Sequence, residues 1–187
     1  MQINGYFEVS SNRRGIWYGA DMDRSGRIRS VWNRLLLEDV IAPTFSYLLL
    51  GVRHLLGPTN SYYSLWPTGS FQEPWNILVE CIYRSISDSP VMYSEVQGGT
   101  WISPAGAFLH DVEFSSKSKQ ISEALVQLGM PVVQLPNSLF NMFLNSASGV
   151  QHRVVTPDSV RNFLRGRSST SVIDRSSNLM LLEYCLE

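Results

Sequence analysis

The chain has 187 residues, a length that fits one large domain or two small ones. Hydrophobic residues make up 44% and charged residues 17%, apolar enough to build a core and too apolar for a disordered chain. With a net charge of -1 the chain as a whole carries no polyanion-binding footprint, so a nucleic-acid partner is not expected.

In chain order, Tyr6 to Val9 alternates as a strand does, and Ile16 to Tyr18 reads as its hairpin partner across a polar turn holding Arg13 and Arg14. From about Ile28 to Leu56 the spacing is helical, with Ser30 as the N-cap. Pro43 is expected to break or kink that helix, so that a second one runs from Phe45 to Leu56 and stops at Gly57-Pro58. Thr59 to Ser70 reads as loop, and Pro74 as the first residue of a helix carrying Ile77, Leu78, Cys81 and Ile82. Val91 to Val96 and Thr100 to Ile102 flank Gln97-Gly98-Gly99 as a β-hairpin. Ser103-Pro104 is then expected to open a short helix reaching His110.

Beyond a polar stretch at residues 115–119, Ile121 to Leu128 reads as an amphipathic helix closed by Gly129. A short strand at Val132 to Leu135 leads to a helix capped by Asn137, and a strand at Val154-Val155 to a helix opened by Thr156-Pro157. A last apolar helix is expected from Leu179 to Leu186, and the chain stops inside it, so an excised fragment is expected. The expected fold class is α+β, mostly helical with short β-hairpins, as two packed modules: residues 1–114, a hairpin-plus-helix unit, and residues 115–187, a smaller helical unit with short strands.

The chemistry-bearing residues form no self-sufficient site. Cys81 and Cys185 sit in apolar patterns and read as buried free thiols. No leader peptide is visible, and the greasy run from Val40 to Val52 is interrupted by Pro43 and Gly51, so neither secretion nor a membrane is expected. Asp21, Asp23, Ser25 and Gly26 follow the first part of an EF-hand loop. Its last ligand position holds Trp32, however, and no helix precedes it, so a turn with local Arg pairs is favoured over calcium. His54, His110 and His152 are scattered, so no metal site is expected, and there is no nucleophile elbow, P-loop or dinucleotide fingerprint. His110, Asp111 and Ser103 are neighbours in sequence only, and no catalytic residue or cofactor is assigned. Arg13 and Arg14 stand out: two adjacent guanidiniums on a tight turn suit a phosphate or a carboxylate on a neighbouring domain, against the plainer reading of a solvated turn.

The stretches from Asn4 to Arg14, Ile16-Trp17 and Trp32 to Pro43, followed by Pro131 to Pro136 and Leu181 to Leu186, together resemble the repeat region of sacsin-type proteins, giant intracellular chaperone-like proteins. The resemblance implies a piece downstream of an ATPase domain similar to that of the ninety-kilodalton heat-shock chaperone. The carboxylate helix and glycine-rich lid of such a domain are absent, so no ATP site is assigned to this chain. It further implies that Arg13 or Arg14 reaches back to the nucleotide's terminal phosphate in the upstream domain, as an arginine finger does. The expected role is a cytoplasmic, non-catalytic module that relays ATPase state, or docks neighbouring modules, a client or a chaperone. A structural spacer is the alternative, and a calcium-binding or enzymatic module a more distant one.

Overall fold

The computed structural model describes residues 3, 5–11, 15–19, 24–110, 116–145, 152–166 and 174–186. Its longest element follows from a break in period. Gly26, Ser30, Asn33 and Leu37 are buried at steps of four, three and four; the next buried residues are Ala42, Phe45, Ser46 and Leu49, so the step from Leu37 to Ala42 is five. One α-turn cannot keep residues five apart on a single face. The chain therefore passes from α1 (Arg24–Leu35) through a π-helical turn (Leu36–Ile41) into α2 (Ala42–Leu56), with the Ala42 amide donating to the Leu37 carbonyl. Pro43 sits in the first turn of α2, where the wide turn makes room for its ring, and the expected break is not there. The helix also runs through Gly51, so Ser25–Leu56 is long and apolar enough, by length and composition, to cross a membrane, contrary to the interrupted run read from sequence. Deleting exposed Val40 in a Pro43→Ala background shortens the long step to four without leaving a proline ring inside a regular turn, and is expected to turn the π-turn into regular helix, moving the melting temperature by less than about 4 °C. Deleting Thr44 rotates Phe45, Ser46 and Leu49 off the core and is expected to cost about 3 kcal/mol or more; thermal melts of the two variants check the contrast.

α2 packs on α4 (Trp75–Ser85), and Leu49, Leu78 and Ile82 lie in a first core. Pro74 is the residue before α4 rather than its first. Within the stretch read as loop, Thr59 caps α3 (Asn60–Tyr63), placing Tyr62 and Tyr63 in the core beside Trp66. The tyrosine hydroxyls stay satisfied: Tyr62 donates to the Val91 carbonyl at 2.9 Å and Tyr83 to the Pro67 carbonyl at 3.0 Å, and burial pushes both phenols well above their ordinary range.

β1 (Met92–Ser94) and β2 (Thr100–Ile102) form the expected antiparallel hairpin, Met92 opposite Ile102. Gly99 turns it with φ of 106°, and an added Cβ there would run into the Tyr93 hydroxyl. The helix expected over Ser103 to His110 shrinks to one 3-10 turn, Pro104–Gly106. Phe108 to His110 is β3 instead, because Leu109 is fully buried between two strands that supply its backbone partners.

Those partners make a parallel sheet ordered β4-β3-β5, with β4 at Val132–Gln134 and β5 at Arg153–Val154. α5 (Ser116–Gln127) lies between β3 and β4 in the chain, and α6 (Asn137–Asn145) between β4 and β5. Thr156 caps α7 (Pro157–Arg165) in a reciprocal box with Ser159, as the Thr-Pro signal predicts. α8 runs from Arg175 to Leu186, starting earlier than expected because the Asp174 carboxylate accepts from the Ser176 and Ser177 amides at 2.8 and 2.9 Å. The Ser177 hydroxyl first, and then those amide bonds, pull the Asp174 carboxyl down to about 2. α5, α7 and α8 close a second core around Ile121, Leu125, Val160 and Leu181.

The described residues thus form an α+β fold, mostly helical, with two small sheets. The boundary drawn near Phe114 lies outside the described residues; β3, before it, pairs with β4 and β5, after it. Cys81 and Cys185 are free, half-buried rather than buried, and burial raises both thiol pKa values.

His152 lies edge-on to Phe143, ring centroids 5.0 Å apart, with neither ring nitrogen hydrogen-bonded. Burial lowers its pKa, so the unfolded chain binds the proton more tightly. That contribution to stability is intact above the ordinary histidine value of about 6.5 and is lost as pH falls from there toward the folded value. The variant His152→Phe is expected to flatten this slope, read as urea midpoints at about pH 7.5 and about pH 5.5.

Candidate docking surface

The N-terminal hairpin is closed by one bridge, Val9 to Ile16, with the Trp17 amide donating to the Glu8 carbonyl at 2.8 Å. It is held less by that pairing than by α1. Asn33, 0% exposed, accepts from the Glu8 amide at 2.8 Å, and its side-chain amide donates to the Glu8 and Trp17 carbonyls at 2.7 and 2.8 Å. One side chain thereby ties both arms to one helix. Trp32 adds an indole N–H to the Tyr6 carbonyl at 2.8 Å, and Ser30 a hydroxyl to the Gly19 carbonyl at 2.9 Å. Ser30 therefore lies inside α1 as a hairpin anchor and is not its cap.

Arg13 and Arg14 lie outside the described residues, as do Asp21 and Asp23 of the EF-hand-like loop. What the structure describes is the base from which residues 12–14 spring, fixed to α1 by three polar side chains.

On α1 and α2 a second set of side chains faces outward. Ile28 (72% exposed), Val31 and Leu35 line α1; Val40 follows across the π-turn, then Tyr47 (76%), Leu48 and Leu55 (83%) along α2. The step from Leu35 to Val40 is again five, so the wide turn that keeps the core stripe aligned also keeps the outer one aligned. Arg27 and Asp39 lie along this face, and Arg34 is engaged by Glu38 at 2.8 Å. A long apolar stripe with charged flanks is the pattern of a helix laid against a partner.

The remaining reactive groups are dispersed. Among the described residues no three of His, Cys, Asp and Glu come together as metal ligands. His54 lies edge-on to Trp101, ring centroids 6.4 Å apart. The sequence reading missed one pairing: the His110 imidazole nitrogen Nδ1 contacts the Ser122 hydroxyl. Both are buried, Ser122 to 1% exposure, so the hydroxyl faces the imidazole and not solvent. No spacing signal links them, because β3 and α5 bring together residues 12 apart in sequence. Asp111 lies outside the described residues, and Ser103 precedes the 3-10 turn.

Compared with known proteins, the whole chain is similar to human (Homo sapiens) sacsin, 24% identical over 199 aligned residues. The chain spans 4% of that protein's length. No protein-family model matches the chain, and no solved structure does.

Proposed function

We propose that the chain is a non-catalytic module of a sacsin-like chaperone, in which the outer face of α1 and α2 docks a neighbouring module of the same protein. The observation that carries this reading is the continuous exposed apolar stripe from Ile28 to Leu55 beside a hairpin clamped to the same helix. The full-length similarity to human sacsin, of which the matched stretch is 4%, supports a place among many other modules. In this reading the partner is the upstream ATPase-like domain, with client or chaperone proteins beyond it, and the setting is cytoplasmic. The clamp makes the hairpin a relay: a pull on residues 12–14 is transmitted through Glu8 and Trp17 to Asn33, and so to the docked helix.

Two measurements test it. Leu35→Glu with Tyr47→Glu places carboxylates on the stripe without touching the core, and is expected to weaken co-purification with the upstream segment at least about tenfold. Unchanged recovery sinks the docking role, and flotation of the wild-type chain with lipid vesicles would assign the face to a bilayer instead. Arg13→Ala and Arg14→Ala are read by ATPase turnover of the protein including the upstream domain, and unchanged turnover in both removes the relay to phosphate.

A further inference from the structure

Away from the α1–α2 face, three cavities join into one groove. The first, about 470 Å³, has a floor of Phe45, Trp66, Leu78 and Ile82 and an exposed rim that includes Phe71 and Trp75. None of its lining residues is charged. It meets a second cavity of about 730 Å³ at Ser64 and Thr68, which line both. The second meets a third, about 180 Å³, at Pro58, Tyr63 and Gln134, again shared.

The chemistry changes in one direction along the groove. The first pocket is apolar and aromatic. The middle is uncharged and polar, and the carboxamides of Asn60 and Gln134 there have no hydrogen-bond partner among the described residues. The far end carries two carboxylates, Glu95 and Glu123, neither with a salt-bridge partner among the described residues. Ser122 also lines this end, its hydroxyl already engaged by His110.

An uncharged aromatic pocket takes a large apolar side chain and rejects a charged one, which would lose its hydration uncompensated. Free side-chain amides suit backbone N–H and C=O groups. Two unpaired carboxylates suit a Lys or Arg. A small molecule has no reason to carry all three in that order, whereas a polypeptide does. We propose that this groove binds an extended peptide segment, an aromatic or large aliphatic residue in the Phe71–Trp75 pocket and a basic residue beside Glu95 and Glu123. The site shares no lining residue with the outer stripe of α1 and α2, so either reading can fail alone.

The test is fluorescence anisotropy with a labelled peptide carrying Trp at one end, Lys at the other and Ser/Gly between, made in both sequence directions. Saturable binding is expected for one direction. Glu95→Lys with Glu123→Lys, both at exposed positions, is expected to weaken it about tenfold and to restore affinity for the matching peptide with Glu in place of Lys. Phe71→Ala is expected to weaken both peptides alike. Circular dichroism confirms that each variant is folded. Absence of binding in both directions, indifference to charge reversal, or full affinity in Phe71→Ala would each overturn the proposal.

Discussion

Phe143→Ala is expected to cost about 3–5 kcal/mol, the range for removing a buried aromatic ring from a core that cannot collapse around the gap. Phe143 is 1% exposed and lies on α6, yet it sits in the core built by α2 and α4. Its ring centroid is 4.9 Å from Tyr83, 5.7 Å from Trp66 and 5.0 Å from His152. The cavity therefore opens between aromatic rings from three other segments, each held by its own backbone. The loss is comparable to the whole stability of many domains, about 5–15 kcal/mol, so the variant is expected to be partly unfolded at ambient temperature. Phe143→Leu keeps most of the volume and is expected to cost less, about 1–2 kcal/mol. Urea midpoints of the two variants check the ranking, and equal midpoints would show that the ring is not packed as described.

Asn33→Leu is expected to cost about 2–4 kcal/mol, although it adds apolar volume to a buried position. It strips the side-chain partner from the Glu8 amide and from the Trp17 carbonyl, while the Glu8 carbonyl keeps the Trp17 amide, and each shielded polar group left unpaired costs about 1–3 kcal/mol. Part of that cost is escaped if the hairpin lifts off and its groups hydrate, so the loss appears first as local opening. Hydrogen exchange separates the two: amides of Glu8 and Trp17 are expected to lose protection, while those of Leu78 to Ile82 in α4 keep theirs. The near-isosteric Asn33→Asp still accepts from the Glu8 amide but turns an acceptor toward two carbonyls. It is expected to loosen the hairpin further at neutral pH than at acid pH, where the protonated carboxyl again donates.

These two residues mark where the sequence is legible. Phe143 falls in an apolar helical pattern after Asn137, so its helix and inward face can be read directly, as can the hairpin turning at Gly99 and the start of α7 at Thr156-Pro157. Each of these signals is local. Asn33 is a lone polar residue on the buried side of an amphipathic helix, and its three partners lie 25 and 16 residues away, beyond any local rule. β3 was hidden for the same reason: Phe108 to His110 is a strand because Val132–Gln134 and Arg153–Val154 lie beside it. The π-turn, by contrast, is written in the five-residue steps from Leu37 to Ala42 and from Leu35 to Val40. The sequence reading passed over it because Pro43 offered a simpler break.

The docking surface was half visible. The helical spacing over Ile28 to Leu56 puts Val31, Trp32, Leu35, Leu36, Val40 and Ile41 on one broad apolar face, but a pattern of apolar residues does not say which side meets the core. The structure leaves Val31, Trp32, Leu35 and Val40 exposed, half-buries Leu36 and Ile41, with Ile41 against the first core, and gives the buried positions to Ser30, Asn33, Leu37 and Ala42. The groove was invisible, since its lining comes from Ile3, α2, α3, α4, β1, α5, β4, α6 and the turns between them.

Carbene footprinting tests the central claim, comparing this chain alone with the protein including its neighbouring modules. Labels at Ile28, Leu35, Tyr47 and Leu55 are expected to fall several-fold in the longer protein while labels on exposed Leu164 stay constant. Equal labelling of the α1–α2 face in both would contradict the account.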